Sequence, residues 1–148
     1  MANHFTLPGK VYFTAIGPGP AKRLTLRTLE LLRRADLVVH DDRVPEEVLE
    51  LVPPHVAVLK MGDAIETNPR PSEEIQRRVA EAARSGRSVV RLIFVGTTDD
   101  PDTKREFTAL RRAGIETEII TGTASAPVSG SFEEILLDLP RLTGISAS

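Results

Sequence analysis

Lys10–Thr25, KVYFTAIGPGPAKRLT, is the stretch that decides the fold. A short apolar run, Val11 to Ile16, is stopped by Gly17-Pro18-Gly19-Pro20, and leucine-spaced sequence from about Leu24 to Ala35 follows at once. Strand, tight turn and helix in that order form the opening unit of a parallel α/β sheet. The turn falls at the carboxyl end of its strand, where open parallel sheets bind their ligands.

The alternation continues downstream. Leu24, Leu31, Leu32 and Ala35 recur at helical spacing, with Arg27, Glu30, Arg33 and Arg34 on the solvated faces. Leu37–His40 reads as the second strand, and Pro45 opens a short helix through Leu51 with Glu46 and Glu47 at its positive end. Pro53-Pro54 stops it, and Val56–Leu59 is the third strand. A polar loop, Met61 to Pro71, leads to Ser72, an N-cap for a helix whose buried stripe is Ile75, Val79 and Ala82 and whose stop is Gly86. Ser88 to about Val95 is nearly all apolar, as a central strand covered on both faces must be. A helix from about Thr103 to Ala113, a stop at Gly114 and a strand at Glu116–Ile120 complete the pattern. Ser131 and Glu134 then form a capping-box pair before Ile135, Leu136, Leu137 and Leu139, and Pro140 ends that segment. The fold class is therefore α/β: a single domain with a five-stranded, mostly parallel sheet and helices on both faces.

With 148 residues the chain suits one domain with one core. A net charge of -2 argues against general nucleic-acid binding, which needs a basic surface to displace counterions. The absence of cysteine excludes thiolate metal sites and disulfides and fits a cytoplasmic location. The longest apolar stretch, Val89 to Val95, is interrupted by Arg91 and too short to span a bilayer, so no membrane role is expected.

Several residues are candidates for chemistry. Gly17 and Gly19 allow close backbone approach to a ligand at a strand end, but Lys22 stands where a dinucleotide fingerprint needs glycine. The turn is either a ligand-facing bend or simply a tight strand-to-helix connection. Asp41 and Asp42 end the second strand. A carboxylate there serves as a general base or cation site, as a solvated turn acid, or as a partner for Arg43. Asp99, Asp100 and Asp102 could hold a hard cation, yet they lack the spacing of a calcium loop; Asp102 or Thr103 as helix cap is the simpler reading, and no metal is expected. His4, His40 and His55 show no ligand spacing.

Taken together, these residues carry a family likeness. Val11-Tyr12, Gly17-Pro18-Gly19, Leu24-Thr25-Leu26-Arg27, Ala35-Asp36-Leu37-Val38-Val39 and His40-Asp41 resemble the start of the tetrapyrrole methylases, and within them the uroporphyrinogen-III C-methyltransferases most. The likeness continues at Glu47-Val48-Leu49, Pro71-Ser72-Glu73-Glu74-Ile75, Gly86-Arg87-Ser88-Val89-Val90-Arg91-Leu92, Ala109-Leu110-Arg111-Arg112-Ala113-Gly114-Ile115 and Thr121-Gly122-Thr123. It covers residues 10–126, with 1–9 as a leader and 127–148 as a divergent helix and tail. The resemblance implies the first domain of a two-domain fold, strand order 3-2-4-1-5, with the family's second domain absent from this chain.

It also implies S-adenosylmethionine as cofactor and a tetrapyrrole as substrate. By resemblance Asp41 is the proton acceptor, and Gly17, Pro18, Gly19, Gly96, Ala124 and Ser125 border the cofactor. The chain departs from the pattern in places. Pro20 replaces the aspartate of the turn, and Asp63 stands where the proposed proton donor is lysine. Phe94-Val95-Gly96-Thr97 replaces the Gly-Gly-Asp-Pro cofactor loop, and Ala124-Ser125 replaces a Thr-Ala pair. Three functions stay open: a methyltransferase domain inactive without a second lobe, a non-catalytic scaffold or oligomerisation domain from that family, and an unrelated nucleotide-binding module. The expected associate is a second copy, or a partner supplying the missing domain.

Overall fold

The computed structural model describes residues 9–17, 23–61, 71–94 and 101–123. Nine elements follow one another: β1 Lys10–Ile16, α1 Leu26–Arg34, β2 Leu37–His40, α2 Glu46–Leu49, β3 Ala57–Lys60, α3 Pro71–Arg84, β4 Ser88–Phe94, α4 Pro101–Arg112 and β5 Glu116–Thr121. The strands form one sheet in the order β3-β2-β4-β1-β5. Every ladder in it is parallel. The only antiparallel pairing among the described residues is an isolated bridge, Leu24 to Thr123.

Chain direction decides which face each helix covers. Steps toward the β3 edge are covered by α1 and α2, steps toward the β5 edge by α3 and α4 on the opposite face, as right-handed crossovers require. Val11, Phe13 and Ala15 of β1 point to α3 and α4, where Phe13 meets Phe107 edge-on with ring centroids 5.2 Å apart. Tyr12 and Ile16 point to α1 and α2, against Leu31, Leu32 and Val48. Central β4 is buried along Ser88–Ile93, which explains its near-continuous apolar sequence. Edge strand β3 is the contrast, with Val58 41% exposed.

Helix boundaries follow local chemistry. Thr25 caps α1, its hydroxyl accepting from the Thr28 amide at 3.3 Å. Gly86 and Gly114 adopt φ of +87° and +81°, and each terminates its helix by the same motif. The amide after each glycine bonds five residues back: Arg87 to the Ala82 carbonyl and Ile115 to that of Leu110, both at 3.0 Å.

Several expected boundaries shift. The first helix starts at Leu26, because Leu24 is held by Thr123. Pro45 is the N-cap of α2, which is one turn long rather than reaching Leu51. The third strand starts one residue later, at Ala57, since the Val56 amide turns back to the Pro53 carbonyl at 3.0 Å. Prolines open α3 and α4, at Pro71 and Pro101, where fixed φ and a missing N–H cost nothing, so Thr103 lies inside its helix rather than capping it. Ala83, not Ala82, completes the buried stripe of α3. The expected leader up to residue 8, and the segment from residue 124 on, lie outside the described residues. Among the described residues no helix is long and apolar enough to cross a membrane.

Two glycines separate backbone strain from close approach. A methyl group at Gly114 meets nothing within 4 Å, so Gly114→Ala should cost only the left-handed backbone, about 1–2 kcal/mol. A Cβ at Gly122 would lie 2.6 Å from the Ala15 carbonyl oxygen and 2.7 Å from Ile16 Cδ1. Urea denaturation should therefore find Gly122→Ala clearly the more damaging of the two; equal costs would contradict the packing at the β1–β5 end.

Candidate functional site

The sheet itself marks where a ligand would bind. The chain leaves β1 toward β2 on one side and leaves neighbouring β4 toward β5 on the other. Their carboxyl ends are adjacent, with Ile16 paired to Phe94, and the connections diverge there. Such a switch point opens a crevice at the carboxyl edge. Gly17 lies at one lip. Asp41, one strand beyond β4 and so about 10 Å from β1, lies at the other.

Asp41 is bound into the edge rather than free in a turn. Its amide donates to the Leu92 carbonyl at 3.2 Å. One carboxylate oxygen accepts from the Phe94 amide at 3.2 Å, and the other pairs with Arg91 Nη2 at 2.9 Å. The partner is thus Arg91, not the neighbouring Arg43, which is exposed along with Asp42. His40 directs Nδ1 to the Asp41 carbonyl at 2.8 Å; a carbonyl only accepts, so the Nδ1 proton is the donated one.

Arg91 is the residue that sequence reading missed. Its side chain is 3% exposed on the face covered by α3 and α4. Nε donates to Glu106 Oε2 at 2.7 Å and Nη2 to Glu106 Oε1 at 3.3 Å, while Nη1 donates to the Leu92 carbonyl at 2.9 Å. Burial alone would lower the pKa of this guanidinium. The charges of Glu106 and then Asp41 outweigh it and hold the pKa above the ordinary arginine range, so Arg91 stays charged. The signal was an arginine in the middle of an otherwise apolar central strand, which demands a buried partner. Glu106, on α4, was not legible as that partner.

The other lip is held from β5. Gly122 donates to the Ala15 carbonyl at 2.8 Å, and the Gly17 amide donates to Thr123 Oγ1 at 3.0 Å. The Gly122 carbonyl accepts from the Thr25 amide at 2.9 Å and from the Thr28 hydroxyl at 3.2 Å. Of the residues expected to border a cofactor, only Gly17 lies among the described residues; Pro18, Gly19, Gly96, Ala124 and Ser125 lie outside them, as do Asp63, Asp99 and Asp100. The described residues contain no group of three His, Cys, Asp or Glu side chains arranged to hold a metal ion.

Comparison with known proteins fits this geometry. Residues 10–139 match the family model described as Tetrapyrrole (Corrin/Porphyrin) Methylases. Uroporphyrinogen-III C-methyltransferase of Paracoccus denitrificans is 39% identical over 118 residues, covering 80% of this chain and 41% of that protein. Uroporphyrin-III-C-methyltransferase of Thermus thermophilus superposes with a TM-score of 0.61 at 35% identity, over 80% of this chain and 50% of that one. A structure of the Thermus enzyme complexed with S-adenosylhomocysteine gives a TM-score of 0.59 at 32% identity, over 79% of this chain and 46% of that one. The chain therefore spans half or less of the length of these proteins.

The ion triad makes a sharp stability prediction. Arg91→Met leaves two carboxylates facing each other without their cation and should cost about 3–5 kcal/mol in urea denaturation. Adding Glu106→Gln and Asp41→Asn should recover much of that loss, because the neutral set no longer carries unpaired charge. A cost below about 1 kcal/mol for the single change would place Arg91 in solvent.

Proposed function

We propose, from the premise that this chain belongs to the tetrapyrrole (corrin/porphyrin) methylase family, that it forms the cofactor side of an S-adenosylmethionine-dependent methyl transfer to a tetrapyrrole of the uroporphyrinogen-III type. The observation that carries this reading is the topological switch point between β1 and β4, where ligands bind in open parallel sheets, with Gly17 following β1 and Asp41 following β2. The cofactor is S-adenosylmethionine, bordered by Gly17, Pro18, Gly19, Gly96, Ala124 and Ser125. Asp41 is the proton acceptor; its two oxygens each take one bond from the protein and keep further lone pairs for a substrate proton. The reaction takes place in the cytoplasm.

The domain alone is inactive in this reading. Methyl transfer requires the sulfonium methyl and the attacking carbon in line and close together. One wall of a crevice leaves the donor wet and loosely held. A second lobe, from a partner, a second copy or further sequence, supplies the opposing wall.

One observation favours a second reading, a non-catalytic scaffold or oligomerisation domain. Phe94 and Val95 stand where the family's loop has glycines, so backbone that would approach the cofactor carries side chains instead.

Calorimetric titration with S-adenosylhomocysteine separates the two. The cofactor reading expects saturable heat with a Kd on the order of 1–100 μM, weakened about tenfold or more by Pro18→Ala. Replacing residues 94–97 by Gly-Gly-Asp-Pro should tighten binding. No heat at millimolar ligand leaves the scaffold reading.

A further inference from the structure

We propose that Thr123 is a positioning residue for the cofactor crevice, holding Gly17 in place through its hydroxyl; this rests on the reading of the carboxyl edge as an S-adenosylmethionine site. Ala15 pairs with Thr121, and the Gly122 amide donates to the Ala15 carbonyl at 2.8 Å. In a parallel ladder the next bond would run from the Gly17 amide to the Gly122 carbonyl. That carbonyl is already occupied by the Thr25 amide at 2.9 Å and the Thr28 hydroxyl at 3.2 Å, and a carbonyl oxygen has two lone pairs. The Gly17 amide would be a buried donor without an acceptor.

Thr123 removes that conflict. Its Oγ1 accepts from the Gly17 amide at 3.0 Å, and the residue itself is only 3% exposed. Its backbone forms the bridge to Leu24. One residue therefore fixes the chain on both sides of 18–22, by hydroxyl at Gly17 and by main chain at Leu24. The Gly17 amide is consequently committed to the protein and is no donor to the cofactor. What Thr123 sets is where the glycine backbone stands at the lip of the crevice.

The test pairs Thr123→Val, which keeps the shape and removes the hydroxyl, with Thr123→Ser, which keeps the hydroxyl. Amide hydrogen exchange at Gly17 is read by NMR, and affinity is read by calorimetric titration with S-adenosylhomocysteine. Thr123→Val should raise Gly17 exchange at least about tenfold while α3 amides stay protected, and weaken S-adenosylhomocysteine about tenfold. Thr123→Ser should restore both. Unchanged Gly17 protection in Thr123→Val overturns the bond; faster exchange with unchanged affinity overturns the positioning role. If the unaltered chain takes up no S-adenosylhomocysteine, the cofactor reading fails and the positioning role falls with it, while Gly17 exchange still decides whether the bond exists. Should Thr123→Val not fold, Thr123→Cys, a weak acceptor of similar size, replaces it with the same expected outcomes.

Discussion

A guanidinium in the middle of the central strand constrains much of this molecule. β4 is covered on both faces, and Arg91 enters it where every other inward position is apolar or small. Placing a single cation there would cost several kcal/mol if unmatched. The match comes from Glu106 at 2.7 Å and Asp41 at 2.9 Å, from opposite directions in the chain. Glu106 fixes the rotation of α4 about its axis, since Phe107 and Leu110 must face the sheet while Glu106 reaches Arg91. Asp41 fixes the end of β2 against β4. The edge that would receive a ligand is thus determined by a charge requirement inside the core.

The two lips of the crevice are built by different physics. At the β2 side, charge and a carboxylate–amide bond do the holding. At the β1 side, a close backbone approach at Gly122 and a set of threonine hydroxyls do it. Such hydroxyl contacts are short and directional, and each answers a specific main-chain group. A side chain added at Gly122 disturbs the β1 side at once.

How much was legible follows from how local each signal is. Gly86 and Gly114 announce helix limits within a few residues, and β4 announces its central place by apolar content; these features were readable, and the order β3-β2-β4-β1-β5 followed from the family resemblance. The start of the first helix was misplaced because Leu24 answers to Thr123, a partner nearly a hundred residues away in sequence. The starts of α3 and α4 were misplaced for a different reason: the rule that favours proline at a first helical position applies at Pro71 and Pro101, and the polar residues beside them drew the assignment instead. Arg91 was visible as an interruption, but periodicity carries no information about which carboxylate meets it. Asp41 was visible as a candidate, with Arg43 as one partner weighed; Arg43 is exposed, and the partner is Arg91 on β4, too far along the sequence for local reading to find.

The pairing with Arg91 limits what Asp41 can say about chemistry. Arg91 needs a carboxylate at this place for folding alone, and so does the Phe94 amide, which would otherwise lack this acceptor. An aspartate at position 41 is therefore expected in a catalytic and in a non-catalytic descendant alike, and its presence discriminates poorly between them. Phe94 is in the same position: it closes β4, donates its amide to Asp41 and packs, partly buried, against the cluster under α1 and α2, so it too serves the core. In a fold of this kind, the residues most informative about activity are those that the packing would leave free to change.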